Sequence, residues 1–372
     1  MPVRPEAVAE LTRVLTELPG NPSGSHAAAR AARRVLDDAR DVMAEVLGAG
    51  PGDVVFTGGG TEADNLAVLG ASAGGSVVIS SVEHPAVRDP AIGLGAHVAP
   101  VDGTGRIDLD GLATVLDGLE DVRLVSVMLV NNEVGAIQPL EAVAEVVRRH
   151  TPAAVLHTDA VQALSWVDVA GAAASADLIS VSAHKFGGPK GVGALVVRPG
   201  VALAARQIGG GQERERRSGT QNVAGIAAMA TAARITADRR AEDVNRITAL
   251  RDRLADGVLA AIPDAIETGI VAGDRSGRAA GLCHLCFPGV EAEALLFLLD
   301  EAGVAASAAS SCASGAAEPS AVLAAMGVPR EHAGGSLRLS LGWATTEADV
   351  DRALAAVPEA VHRLRAGKRV DA

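Results

Sequence analysis

Through the first two thirds of the chain, short β-branched or apolar runs alternate with longer stretches of helical periodicity, and no other feature narrows the possible folds as far. Strands buried on both faces read as continuous apolar runs, so the alternation predicts a mostly parallel sheet covered by helices on both sides. Strands are expected near Val54–Phe56, Val77–Ile79, Leu124–Val130, Ala153–Leu156, Leu178–Val181 and Gly193–Val197. Helices are expected over His26–Leu47, Asp64–Leu69, Asp108–Leu119, Leu140–His150 and Asn222–Ala237. The stretch Ala241–Ile262, with Leu250, Leu254, Val258 and Ile262 at four-residue spacing, reads as a long helix leading into a second domain. After it come a strand at Leu282–Phe287, a helix at Glu291–Ala302, a small-residue segment at Ala305–Ala317, a strand at Ser336–Leu341 and a closing helix from Thr346. The expected division is a large α/β domain over residues 10–245 and a smaller α+β domain over 246–372, which residues 1–9 join.

Composition removes several classes of function. Apolar residues make up 48% of the chain but aromatics only 2%, with no tyrosine, so the core must be packed from Ala, Val and Leu. A formal charge of −12 disfavours binding to a phosphate backbone. The start of the chain has no apolar secretion core, and no apolar run reaches the roughly 18 residues that span a bilayer. The expectation is a soluble, cytoplasmic protein with no membrane and no direct nucleic-acid partner. Three cysteines, Cys283, Cys286 and Cys312, cannot make a disulfide framework and fit a reducing compartment. Lysine is as sparse, at 185, 190 and 368, so a catalytic amine has few candidates.

In open α/β sheets ligands gather beyond the carboxyl ends of the strands. Five expected strand ends carry useful groups: Gly58-Gly59-Gly60-Thr61, Glu83-His84, Asn131-Asn132, Asp159 with Gln162, and Ser182 with His184 and Lys185. The glycine run between a strand and a helix start can cradle a phosphate on free N–H groups, or be a plain turn. It matches neither the ATP-binding nor the dinucleotide-binding glycine pattern, which points to a different phosphorylated cofactor. Asp159, at the mouth of a buried strand, needs a cation or a hydrogen-bond donor, or else caps the next helix. Lys185 is either a solvated charge or, if buried, an amine nucleophile. Strict alternation in Ser336-Leu337-Arg338-Leu339-Ser340-Leu341 turns Arg338 away from the leucines, toward a carboxylate ligand or a surface ion pair.

Taken together, Phe56-Thr57-Gly58-Gly59-Gly60-Thr61-Glu62-Ala63-Asp64-Asn65, Val130-Asn131-Asn132-Glu133-Val134-Gly135, Asp159-Ala160-Val161-Gln162, Ser182-Ala183-His184-Lys185, Arg217-Ser218-Gly219-Thr220 and the segment from Cys312 to Ser320 resemble a group I cysteine desulfurase. That family lies in the class V aminotransferase branch of fold-type I pyridoxal-phosphate enzymes. The resemblance implies the fold-type I architecture, with a large domain built on a mostly parallel seven-stranded sheet and a smaller α+β C-terminal domain. It implies pyridoxal 5'-phosphate held by Lys185, with Gly60, Thr61, Ser182 and His184 on the phosphate and Thr220 reaching it from a neighbouring subunit. Asp159 would pair with the pyridine nitrogen and Gln162 with the ring hydroxyl. His84 would stack on the ring and assist proton transfer, while Asn132 and Arg338 hold the substrate carboxylate.

The reaction so implied converts L-cysteine to L-alanine, with Cys312 taking the sulfur as a persulfide for a protein acceptor. Cys312 sits in a run of small residues with little to pack, which predicts a mobile carrier loop. The resemblance also implies a homodimer. It departs from the family at its start, where Met1 stands at the end of the usual Thr-Thr-Pro turn, and no scaffold-docking extension follows Val370. Two other readings stay open: a lyase or aminotransferase of the same branch, and an inactive assembly subunit of a sulfur pathway. The acceptor is open among an iron-sulfur scaffold, tRNA thiolation and DNA phosphorothioation. Cys283-His284-Leu285-Cys286 invites a metal reading, but residues three apart on a strand face opposite ways, so core packing and no metal are expected.

Overall fold

A computed structural model of the chain describes residues 1–271, 273–308 and 320–368. Cys312 and its small-residue run lie outside the described residues. Strands β1 (Val54–Thr57), β2 (Ser76–Ser80), β3 (His97–Ala99), β4 (Val122–Ser126), β5 (Val155–Asp159), β6 (Leu178–Ser182) and β7 (Gly193–Val197) form one seven-stranded sheet in the order β1-β7-β6-β5-β4-β2-β3. Every neighbouring pair is parallel except the two that involve β7. The mostly parallel sheet expected from the apolar runs is therefore present. The helix Gly60–Ala71 lays Ala63, Leu66, Ala67 and Ala71 against Val55, Val77, Ile79, Leu124, Leu195 and Val197, small residues on the helix fitting branched ones on the strands. Such close helix-on-sheet packing is what a core poor in aromatics requires.

The chain divides into two compact units. The larger holds Met1–Ala99, Ile107–Val130 and Gln138–Arg240; the smaller holds Pro100–Arg106, Asn131–Ile137 and Ala241–Ala372. Residues 1–9, expected with the smaller domain, belong to the larger unit instead. The Arg4 N–H donates to the Gly187 carbonyl at 2.8 Å, which ties the start of the chain to the segment after Lys185. Two short segments of the first half of the chain, Pro100–Arg106 and Asn131–Ile137, conversely belong with the C-terminal part. In the smaller unit β8 (Ile266–Glu267), β9 (Leu282–Cys286) and β10 (Ser336–Ser340) make an antiparallel sheet in the order β10-β9-β8.

Two helices expected over Asn222–Ala237 and Ala241–Ile262 are one helix of 39 residues, Val223–Ala261. Asp238, Arg239 and Arg240 between them include no glycine or proline to stop it. The strand expected over Leu124–Val130 is regular only to Ser126, but the chain runs on beside β5, with the Val127 and Leu129 N–H groups donating to the His157 and Asp159 carbonyls at 3.0 and 2.9 Å. Among the described residues no helix is long and apolar enough to cross a membrane.

Candidate active site

In the larger unit the carboxyl ends of β1, β5 and β6 bring together most of the residues singled out above. After β1, Gly59 takes φ +152°, a conformation open to glycine, and the helix then starts at Gly60 with no side-chain cap on its N–H groups. A Cβ on Gly60 would stand 2.7 Å from Val161 Cγ2 and 3.3 Å from Ser182 Cβ, so the helix start packs directly on the turns after β5 and β6. Ser182 Oγ lies 2.9 Å from His184 Nδ1. Burial and the neighbouring Lys185 lower His184 to about 4, leaving its ring neutral. Uncapped amides, a hydroxyl and a neutral imidazole form a set of donors for an anion.

Asp159 is the last residue of β5 and only 4% exposed. Its Oδ1 accepts the Val161 N–H at 2.8 Å. Burial raises the carboxyl to about 6 against the opposing effects of that hydrogen bond and of Lys185. A carboxylate so placed favours any cationic ligand that reaches it. Gln162 follows in the same turn, half-buried. Lys185 is half-buried in the short turn after β6, whereas Lys190 is exposed. His84 caps the helix Pro85–Gly93: its Nδ1 accepts the Ala86 N–H at 3.1 Å. The neutral ring therefore carries its proton on Nε2 and presents a donor there.

Thr61 and Thr220 are exposed. The segment leading to Thr220 is built on an unusual backbone, with Glu213, Arg214 and Glu215 at φ 48°, 56° and 64°. It is held by Glu213, which accepts both Nη groups of Arg40 at 2.8 Å, the Phe56 N–H at 3.0 Å and the Gln221 amide at 3.1 Å. Arg217 Nε reaches Glu62 at 2.7 Å, fastening the same segment beside the glycine turn. Arg40 and Glu213 were not singled out in the sequence; only a contact 173 residues apart reveals them.

In the smaller unit Arg338, on β10, donates from Nη1 to the Asn132 carbonyl at 3.0 Å. Two further bonds, Ser307 N–H to Arg338 O and Arg338 N–H to Ser307 O, pair residue 307 with the strand. Ser320 hydrogen-bonds Glu133, next to Asn132. The residues flanking 309–319 on both sides are thus fastened to the Asn132 segment or to Arg338. Cys283 and Cys286 are buried, and burial pushes both thiols up to about 12. Among the described residues no group of His, Cys, Asp and Glu could hold a metal ion.

The family model for the class-V aminotransferases matches residues 2–353. The chain belongs to the class-V aminotransferase family. Within it, the chain is 44% identical to an IscS-like cysteine desulfurase of Mycobacterium tuberculosis, over 98% of this chain and 95% of that one. A solved NifS-like protein superposes with a TM-score of 0.89 at 32% identity, covering 97% of each chain. The solved complex of SspA with cysteine superposes with a TM-score of 0.75 at 26% identity, over 92% of this chain and 96% of that one. The chain is a cysteine desulfurase, a pyridoxal 5'-phosphate-dependent enzyme. The buried Asp159 and the donor set at Gly60, Ser182 and His184 fit the two polar ends of that cofactor, its pyridine nitrogen and its phosphate.

Proposed function

We propose that the larger unit holds the cofactor through Lys185 and Asp159 and that Cys312 carries the sulfur. The observation behind this reading is Asp159: a carboxylate 4% exposed at a strand end, with one backbone N–H and the charge of Lys185 to steady it. A protonated pyridine nitrogen completes that environment. When bound, pyridoxal 5'-phosphate supplies an electron sink for the substrate's α-carbon and a carbonyl that takes up amines. Lys185 is the amine that anchors it in the resting enzyme. Gly60, Thr61, Ser182 and His184 grip the phosphate, and Gln162 the ring hydroxyl.

His84, with its proton on Nε2, serves first as a donor; taking up a second proton costs it the Ala86 cap. Asn132 and Arg338 hold the carboxylate of L-cysteine. The Cys312 thiolate attacks the substrate sulfur: an S–S bond forms, the C–S bond breaks, and the carbon takes a proton. L-Cysteine and a thiol thus give L-alanine and a persulfide, balanced without an outside oxidant or reductant. Thr220, exposed at the end of the Arg40-held segment, serves the phosphate of a second copy in a homodimer. A protein acceptor then takes the sulfur, and the sparse cysteines fit a reducing compartment such as the cytoplasm.

Borohydride reduction of the holoenzyme followed by peptide mapping tests the anchor. The label is expected on Lys185 alone. A label on Lys190 would overturn the assignment, and with it the places given to Ser182 and His184.

A further inference from the structure

Two histidines are wholly buried, and they differ in how their rings are held. His157, on β5, has both nitrogens engaged: Nδ1 is 2.9 Å from Ser126 Oγ and Nε2 is 3.0 Å from Ser180 Oγ. His284, on β9 in the smaller unit, has one. Its Nδ1 lies 2.6 Å from Thr268 Oγ1, while Nε2 is buried with no hydrogen-bonding partner among the described residues. An aliphatic side chain would fill the same place without leaving a polar atom unpaired, so packing alone gives no reason for an imidazole here.

The register of the antiparallel sheet supplies a reason. β10 lies against β9 with Arg338 directly opposite His284. On the other side of His284, the Thr268 N–H donates to the His284 carbonyl at 3.2 Å. Arg338 turns its own backbone groups away from β9: its N–H donates to the Ser307 carbonyl at 2.7 Å and its carbonyl accepts the Ser307 N–H at 3.2 Å. Arg338 and His284 are therefore a pair without mutual hydrogen bonds, the kind in which opposite Cα atoms approach to about 4.5 Å and the side chains leave one face side by side. A polar row, Thr268–His284–Arg338–Ser307, crosses the sheet between the apolar pairs Leu285–Leu337 and Cys283–Leu339. Past the ring, Arg338 Nη1 reaches the Asn132 carbonyl at 3.0 Å. Burial, with the charges of Arg278 and Arg338, lowers His284 to about 3, so the neutral ring does not repel the guanidinium.

We infer that His284 is a positioning residue for Arg338: its ring, tied by Thr268, walls one flank of the arginine stem and keeps the guanidinium turned toward the Asn132 segment. The inference rests on the part assigned to Arg338 above, the grip on the carboxylate of L-cysteine. A guanidinium holds a carboxylate through two parallel hydrogen bonds, so the grip depends on the plane of the group as well as its charge. Arginine is long and rotates freely, and ordering it at the moment of binding costs affinity. A rigid neighbour in the closest cross-strand position imposes that order before the ligand arrives. Nothing in this arrangement acts on the reacting atoms, so the loss should fall on binding and not on chemistry.

The test is made on holoenzyme. His284→Ala is expected to raise the KM for L-cysteine about five- to tenfold and to leave kcat within about twofold. Affinity for L-alanine, read without turnover from the absorbance of the bound cofactor, should fall by a similar factor. Affinity for L-alanine methyl ester, which has no carboxylate, should stay. Thr268→Val unties the ring without emptying its place, and should weaken the acid about twofold with the ester again unmoved, a reading that stands even where His284→Ala fails to fold. An unchanged KM in His284→Ala, or an equal loss for acid and ester in either variant, would overturn the inference. Arg338→Gln tells that failure from failure of the assignment beneath it. If this variant keeps the full preference of acid over ester, Arg338 does not hold the carboxylate and both readings fall; if it loses the preference while His284→Ala keeps it, the inference about His284 falls alone.

Discussion

Glu267 in the smaller unit and Asp159 in the larger are both strand-terminal carboxylates, 7% and 4% exposed, set in opposite surroundings. Glu267 meets Arg275 at 2.6 Å and Arg278 at 2.7 Å, and Arg278 in turn donates to the Val134 carbonyl at 2.8 Å. Every charge there has a partner supplied by the chain, and the product is a fixed place for the segment that carries Asn132. Asp159 has instead two further acids as neighbours and a lysine assigned to covalent work. A buried charge completed from within marks structure, and one left to be completed by a ligand marks chemistry.

Removing either partner should separate the two cases. Glu267→Ala leaves two arginines without their anion and is expected to cost about 3–5 kcal/mol, read as a lower denaturant midpoint. A loss below about 1 kcal/mol would break the comparison. Asp159→Asn should act the other way in cofactor-free protein. A carboxyl raised from 3.8 to about 6 loses stability as the pH rises through that interval. The neutral variant is therefore more stable by about 1–3 kcal/mol at pH 7.5 while losing cofactor retention, and the gain should vanish near pH 4. Equal stability at both pH values would show that Asp159 is already compensated.

The two units also bury a matching pair of histidines, and here they should behave alike. His157 and His284 are each lowered to about 3 by burial. A histidine depressed in the fold stabilises it above its ordinary value of 6.5, and that stability is lost as the pH falls toward 3. At pH 5 the loss is about 2 kcal/mol for each. Acid titration of the unfolding free energy should show a reduced slope in Thr268→Val, if losing the 2.6 Å contact to His284 disrupts that site, and in Ser126→Ala for His157. A slope indifferent to both changes would place the acid sensitivity elsewhere.

The sequence showed the strands because each is a run of apolar residues long enough to stand out, and it showed Asp159, Lys185 and Arg338 because each interrupts or follows such a run. Glu83 was visible at a strand end but without a task, since nothing local says whether a buried acid keeps its proton. Asp64, quoted only within a motif, and His157 gave no local sign of burial, which comes from three strands and a helix that meet only in the fold. The strands β3 and β8, of three and two residues, are too short to carry a periodic signal. The placing of residues 1–9 rests on a contact with Gly187 that no local pattern announces.

The left-handed run at Glu213, Arg214 and Glu215 bears on how freely this protein can exchange parts with its relatives. Each non-glycine residue held there costs about 1 kcal/mol, and the compensation comes from Arg40, a residue on a distant helix. The shape of the segment is thus written in two places in the gene. A graft of residues 205–222 from another member would arrive without its second half unless the recipient carried an arginine equivalent to Arg40. Recombination between relatives should therefore tolerate crossovers outside the interval from Arg40 to Glu213 far better than crossovers within it.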